Sequence, residues 1–352
     1  MNAAAPIPIA PAKASSMHRS ILRAALSVGA AGIVVKLVAT AKEISVAAVY
    51  GRSDAMDAFF AAALMPSLLV NLISESMNQA LVPTLVRVRE QEGQERAQQL
   101  LSSSMLWMCL LLGGATLLMA LAARLFFPLL VSNFAPAKLA LSIHLFYGLL
   151  PIVLLTGIAI NCTAILNTLD RFALPALAPA VISIAIMLGA VFLAGRYGIL
   201  AMVYATVGGS LLHVAIVAGM MEAHGYRFRF RRHGMNEATR EVAAQYGPVL
   251  LSGLVASGGL LVDQAMAAML VAGSVSALVY ANRFVSVVLT LLAGAVSTAI
   301  VPGISRLIAH RDWAGCGHIL RTWVRLTTAG TNARVRLNSG NKNNRRAKQG
   351  SN

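Results

Sequence analysis

Residues 54–83 read DAMDAFFAAALMPSLLVNLISESMNQALVP. The stretch is long enough to cross a bilayer, which takes about 20 mostly apolar residues. It nevertheless carries Asp57, Asn71, Glu75, Asn78 and Gln79. A charge at membrane depth costs about 2.5–3.5 kcal/mol on insertion scales, so it normally faces protein or a water-filled cavity. On a regular helix Asp57, Leu64, Asn71 and Asn78 recur every seven residues, while Glu75 and Gln79 follow Asn71 in steps of four. That spacing makes one polar stripe on an otherwise apolar helix. Such a stripe either joins neighbouring helices through hydrogen bonds or lines a polar pathway.

The rest of the chain sets this stretch in a membrane. Of its 352 residues 57% are hydrophobic and 12% charged, with a mean hydropathy of +0.71. A soluble domain is about a quarter charged. The fold class is therefore all-α, a polytopic bundle of membrane helices. The net charge of +16 does not indicate nucleic acid. Basic loops of a membrane protein set its orientation and touch anionic lipid. Cys109, Cys162 and Cys316 have no metal-ligand or CxxC spacing, so they are read as packing residues and no metal is expected. No HExxH, P-loop or GxSxG motif occurs, so the chemistry is not that of an enzyme and no cofactor is expected.

Eight spans are expected, at about 21–50, 55–82, 98–123, 140–168, 173–195, 198–221, 243–271 and 276–302. The Ala/Pro-rich residues 1–20 read as a flexible leader, 21–222 as a first bundle of six helices and 223–241 as a basic loop. Residues 242–325 then open a second bundle, and 326–352 form a basic, disordered tail. RLFFPLLVSNFAPAK, residues 124–138, reads as interfacial because Pro128 and Pro136 interrupt it. If the N-terminus is cytoplasmic, the inner segments hold sixteen Lys and Arg and the outer loops four. That bias supports the orientation. The basic-aromatic run YRFRFRR, residues 226–232, is then a lipid-facing cytoplasmic loop.

Three basic residues fall inside spans: Lys36, Lys42 and Arg283. Lys42 and Glu43 lie near a span end, where their side chains could snorkel to the interface; Lys36 is deeper. Thr290 and Ser297 follow Arg283 at seven-residue steps, a second polar stripe. Asp263 precedes the turn AGSVS by about as many residues as Arg283 follows it. An antiparallel hairpin would set them at similar depth, so an Asp263–Arg283 ion pair is expected, in a structural or a functional role.

Five stretches now stand in order: DAMDAFFAAALMPSLL, ESMNQALVP, ILNTLDRFALPALAP, AGSVSALVYANRF and GAVSTAIVPGIS. Together they resemble the MurJ/MviN family of lipid II flippases, within the multidrug/oligosaccharidyl-lipid/polysaccharide exporter superfamily. The resemblance runs from about residue 20 to 325. It implies two helix bundles rocking around a cationic cavity, and an undecaprenyl-diphosphate-linked glycan carried across the bacterial inner membrane. By position it implies a substrate cavity formed by Lys36, Lys42, Asp57, Asn71, Glu75, Asp263 and Arg283. Lys36 and Lys42 stand where the family has arginines, Val70 where an arginine follows PSLL, Ser76 where a glycine follows the acidic residue and Asn282 where an aspartate precedes Arg283. Lysine is a compact charge and lacks the planar fork of arginine, so a divergent member with another polyprenyl-linked glycan is expected. The composition change near residue 330 reads as a truncated end, and the alternatives are a transport-incompetent half-molecule or an exopolysaccharide or drug exporter of the same superfamily.

Overall fold

A computed structural model describes residues 12–169, 173–226 and 237–289. Among these the chain is α-helical, with no strand. Eight helices follow one another: α1 (Ala12–Tyr50), α2 (Asp54–Glu92), α3 (Gln94–Leu130), α4 (Pro136–Thr168), α5 (Leu174–Tyr197), α6 (Leu200–Ala223), α7 (Glu237–Ala268) and α8 (Ser274–Leu289). Six of them, α2 to α7, are long and apolar enough to cross a membrane. The six spans expected from 55–82 to 243–271 fall on α2 to α7 in order, as their apolar runs dictate; the first expected span lies on α1, and of that at 276–302 only the part to residue 289 is described, on α8. The basic run 227–232, Thr290, Ser297, Cys316 and the tail 326–352 lie outside the described residues.

The helices overrun the expected spans at polar ends. α1 begins at Ala12, inside the stretch read as a leader. Arg87 and Arg89, read as loop residues, lie on the last turns of α2. Arg87 pairs with Glu241 of α7, and the Arg89 guanidinium donates to the Thr168 carbonyl at the end of α4. Residues 124–130, expected to be interrupted at Pro128, are helical. α3 continues through Pro128 to Leu130, because Phe127 is buried against Phe146 at 5.3 Å between ring centroids. Proline forfeits one helix hydrogen bond, and that aromatic packing offsets the loss. Pro136 instead opens α4, at the position where its missing N–H costs nothing.

Two apolar cores hold the bundle, one towards each end. At the α1–α2 end Met56, Phe60, Phe127, Phe146 and Met202 interlock. At the α2–α3 end Leu81, Leu85, Leu100, Met108 and Ile165 do so. Between them α2 is irregular. Pro66 sits inside it, and Val70–Glu75 forms a π-helical turn. Prolines and π-bulges are the usual causes of a helix kink, and a π-bulge adds a residue and so rotates the next turns of the helix by about 100°. Along the seven-residue stripe Asp57 and Leu64 are buried, whereas Asn71, on the π-turn itself, is exposed; the Asn78 side chain lies outside the described ones.

α5 and α6 approach closely through small residues, the usual way membrane helices pack. A Cβ on Gly209 would lie 2.9 Å from Ala185 Cβ and 3.0 Å from Ile182 Cα, whereas one on Gly208 meets nothing within 4 Å. Gly209→Val is expected to destabilise the protein by about 1–3 kcal/mol, the usual cost of overpacking. Thermal unfolding in detergent reads this as a lowered midpoint, with the neighbouring Gly208→Ala unchanged.

Candidate functional site

Two polar constellations stand on this frame. The first lies in mid-bundle, where α1 meets α8. Glu43 of α1 is 5% exposed. Its Oε1 is 2.7 Å from Lys42 Nζ and also pairs with Arg283 of α8. Its Oε2 is buried without a hydrogen-bond partner among the described residues, as is the Tyr280 hydroxyl. Arg283 lies over the Phe60 ring, 5.2 Å from its centroid, and Phe60 meets Tyr280 edge-on. A cavity of ≈200 Å3 opens here, lined on the α1 side by Lys36, Thr40, Lys42 and Glu43 and on the α8 side by Arg283 and Ser286. Its surroundings are apolar: Val34, Leu37 and Ile44 of α1 and Phe284 and Val285 of α8 are exposed on the bundle surface.

A second cavity of ≈130 Å3 shares Lys42, Glu43 and Arg283 with the first and runs inward past Met56, Phe60 and Met202 to Ser67 and Ile152. A third, of ≈310 Å3, borders the same Ser67 and Ile152 and is lined also by Asn71 and Thr156, beside the irregular turn of α2. Three cations face one carboxylate in this system, so it carries a net positive charge. A charge-assisted hydrogen bond is stronger than one between neutral groups. The arrangement can hold an anion with several oxygens and admit it from the side.

The second constellation closes the α1–α2 end. Asp57 is 1% exposed. It accepts from the backbone N–H of Gly273 at 2.7 Å and of Ser276 at 2.8 Å, and from Lys138 Nζ at 2.9 Å. Lys138 also reaches Asp54 at 2.6 Å. The carboxylate thus sits at the N-terminus of α8, where the helix dipole favours an anion. Arg52 donates to the Gly273 carbonyl and Asn133 to the Met269 carbonyl. Gly273 has φ +83°, and a Cβ there would lie 2.8 Å from the Arg52 carbonyl oxygen. Only glycine lets the two turns approach this closely.

The seven expected cavity residues therefore part company. Lys36, Lys42 and Arg283 line the cationic cavity, and Asn71 lines its inward extension. Asp57 does not face them; it is taken up by the α7–α8 turn. Asp263 is exposed on α7 and, among the described residues, forms no ion pair; Arg283 pairs with Glu43 instead. A hairpin fixes the depth of two side chains, but their direction around the helix axes decides pairing. The Glu75 side chain lies outside the described ones. Sequence reasoning misses Glu43 and Lys138. Glu43 reads as free to snorkel, although its seven-residue spacing from Lys36 on one face of α1 is a signal. Lys138 carries no signal beyond its place in an outer loop.

The family model for the lipid II flippase MurJ matches residues 46–331. The chain belongs to the MurJ family. Among its relatives, the lipid II flippase MurJ of Burkholderia cenocepacia is 27% identical over 312 residues, covering 83% of this chain and 58% of that protein. The probable lipid II flippase MurJ of Buchnera aphidicola is 23% identical over 292 residues, covering 82% and 57%. A solved structure, lipid II flippase MurJ in an inward closed conformation, superposes with a TM-score of 0.67 at 24% identity, covering 81% of this chain and 59% of that one. The MurJ fold is thus shared. The chain spans somewhat over half the length of the MurJ proteins it matches. Its family and its apolar helices make it a multi-pass membrane protein.

Proposed function

We propose that this chain carries the cationic half-site of a transporter for undecaprenyl-diphosphate-linked glycans in the bacterial inner membrane, with its N-terminus in the cytoplasm. The reading rests on one observation: Lys36, Lys42 and Arg283 line one cavity flanked by apolar surface, against the single carboxylate of Glu43, which is paired to Lys42 and Arg283. A polyprenyl diphosphate has the matching parts. Its tail lies along the exposed apolar faces of α1 and α8. Its diphosphate takes the three cations, displacing Lys42 and Arg283 from Glu43. The named substrates of the MurJ relatives, lipid II flippases, agree with that chemistry.

Alternating access then needs an end that opens and shuts. Under the cytoplasmic N-terminus, the α1–α2 end is periplasmic and the Asp57–Lys138–Gly273 contact is its latch. The exposed basic residues at the opposite end, Arg96 and Arg240 among them, face anionic lipid headgroups. The test is translocation of a fluorescent undecaprenyl-diphosphate glycan in vesicles containing the protein. Lys36→Ala and Arg283→Ala are each expected to lower its rate by about tenfold or more, the scale of one lost charge-assisted contact. Unchanged rates in both variants would overturn the assignment of the cavity.

A further inference from the structure

The turn between α5 and α6, remote in sequence from every residue of the cavity system's cationic end, carries a cation stacked on aromatic rings. Arg196, in the last turn of α5, lies over the Tyr197 ring, 5.5 Å from its centroid, within the reach of a cation–π contact. Tyr197 in turn meets Tyr204 of α6 edge-on, at 5.7 Å between ring centroids. The turn that carries them is fixed. Gly198 has φ +56°, which glycine adopts without strain, and the Tyr50 hydroxyl of α1 donates to its carbonyl at 2.9 Å. All three stacked side chains are exposed. Among the described residues Arg196 forms no ion pair, and neither the Tyr197 nor the Tyr204 hydroxyl forms a hydrogen bond. Residues 173–221 contain no Asp or Glu. A guanidinium and two phenols therefore keep their donors for an acceptor from outside the chain.

From this rim towards mid-membrane the surface is apolar. The π-turn Gly189–Leu193 carries Phe192, exposed one helical turn, about 6 Å, below Arg196. The two helices touch where Gly189 meets Ala205 and Ala185 meets Gly209. Leu188 and Ile184 precede those contacts by one residue on α5, and Tyr204 and Gly208 do so on α6. In antiparallel helices an equal offset turns both rows to the same side, and all four residues are exposed. Gly208 is a notch in its row: a Cβ there would meet nothing within 4 Å.

We propose that this face holds one anionic phospholipid, its phosphate on Arg196 and the two tyrosine hydroxyls and an acyl chain along the rows beside Gly208. Under the cytoplasmic N-terminus proposed above, the lipid belongs to the outer leaflet. Charge complementarity selects its class. The face offers a cation and no carboxylate, so the net charge of phosphatidylglycerol is matched, whereas the choline of a zwitterionic lipid finds no counter-ion. Tyrosine and arginine at the headgroup level with apolar side chains below follow the order of headgroup and acyl chain along the membrane normal.

Native mass spectrometry of the full chain in detergent, read on its compact charge states so that unfolded protein does not enter, counts the lipids bound. Phosphatidylglycerol is titrated, with phosphatidylcholine of the same acyl chains as control. The wild-type protein is expected to favour phosphatidylglycerol by about tenfold, the scale of one charge-assisted contact. Arg196→Ala is expected to bring that ratio below about threefold. Gly208→Leu, which fills the notch, is expected to weaken phosphatidylglycerol about threefold or more while keeping the preference. The combined Lys36→Ala and Arg283→Ala variant is expected to keep both affinity and preference, since it alters only the cationic cavity. A wild-type ratio near one, a preference that survives Arg196→Ala, or a preference lost in the cavity variant overturns the site. A dimer that Arg196→Ala or Gly208→Leu dissociates gives the face to a second copy of the chain and overturns it as well.

Discussion

Asp57→Ala is expected to release the α1–α2 end of the bundle. The carboxylate is buried, and it serves two backbone N–H groups of the α7–α8 turn and the Lys138 ammonium at once. Alanine leaves all three donors without that acceptor. Lys138 retains Asp54, but Asp54 is 67% exposed and its attraction is screened by water. Removing one partner of a buried pair costs about 3–5 kcal/mol. The lower figure alone shifts an open–closed equilibrium by about a hundredfold. A cysteine placed at Ala268, which is 4% exposed beside the latch, in a background with Cys109, Cys162 and Cys316 replaced by serine, reports the opening through its rate of reaction with a membrane-impermeant maleimide. Asp57→Ala is expected to speed labelling by about tenfold or more, with Asp57→Asn between it and the wild type, because the amide oxygen still accepts one N–H but has lost its charge. Equal rates in all three proteins would show that the latch does not hold this end shut.

The second large effect is expected at Glu43. Its carboxylate is the shared partner of Lys42 and Arg283, and the Lys42 side chain is only 13% exposed. Glu43→Ala leaves two cations side by side without that counter-ion; because the Arg283 side chain is 43% exposed, the cost falls below that of a fully buried pair, at about 1–3 kcal/mol. The empty variant should therefore unfold in detergent at a clearly lower temperature than the wild type. The same deletion removes the competitor for the cations, so a diphosphate ligand should recover more stability in the variant than in the wild-type protein, by mass action. Inorganic pyrophosphate and undecaprenyl diphosphate serve as the two ligands. A variant destabilised to the same extent with and without them would make Glu43 a purely structural residue.

The architecture is largely legible in the sequence because hydropathy and helix length are properties of the chain itself. The apolar runs find the eight helices in order, and the family follows from motifs such as DAMDAFF and YANRF. The features that escape such a reading depend on a neighbour. Phe127 keeps α3 helical through Pro128 only because Phe146 of α4 lies against it. The π-turn at Val70–Glu75 departs from the regular helix on which the stripe was drawn, and no residue in VNLISE announces it. Lys42 and Glu43 are adjacent near a helix end, a pattern that ordinarily snorkels. Burial against α8 makes them a site instead. Asp57 has the right type for a cavity carboxylate, but the positive-φ turn at Gly273 brings two N–H groups to it from more than two hundred residues away. Arg283 stands out correctly in the sequence but its expected partner is wrong, since equal depth in a hairpin says nothing of which way two side chains turn.

The central claim, a diphosphate held by Lys36, Lys42 and Arg283, is tested most directly by equilibrium binding of undecaprenyl diphosphate to the full chain in nanodiscs, with undecaprenol as the uncharged control. The wild-type protein is expected to bind the diphosphate and to discriminate strongly against the alcohol. Combined replacement Lys36→Ala and Arg283→Ala is expected to weaken the diphosphate by about a hundredfold, as two charge-assisted contacts are lost, and to weaken it less as salt rises. Equal affinity of wild type and double variant for the diphosphate, or equal affinity of the wild type for diphosphate and alcohol, would contradict it.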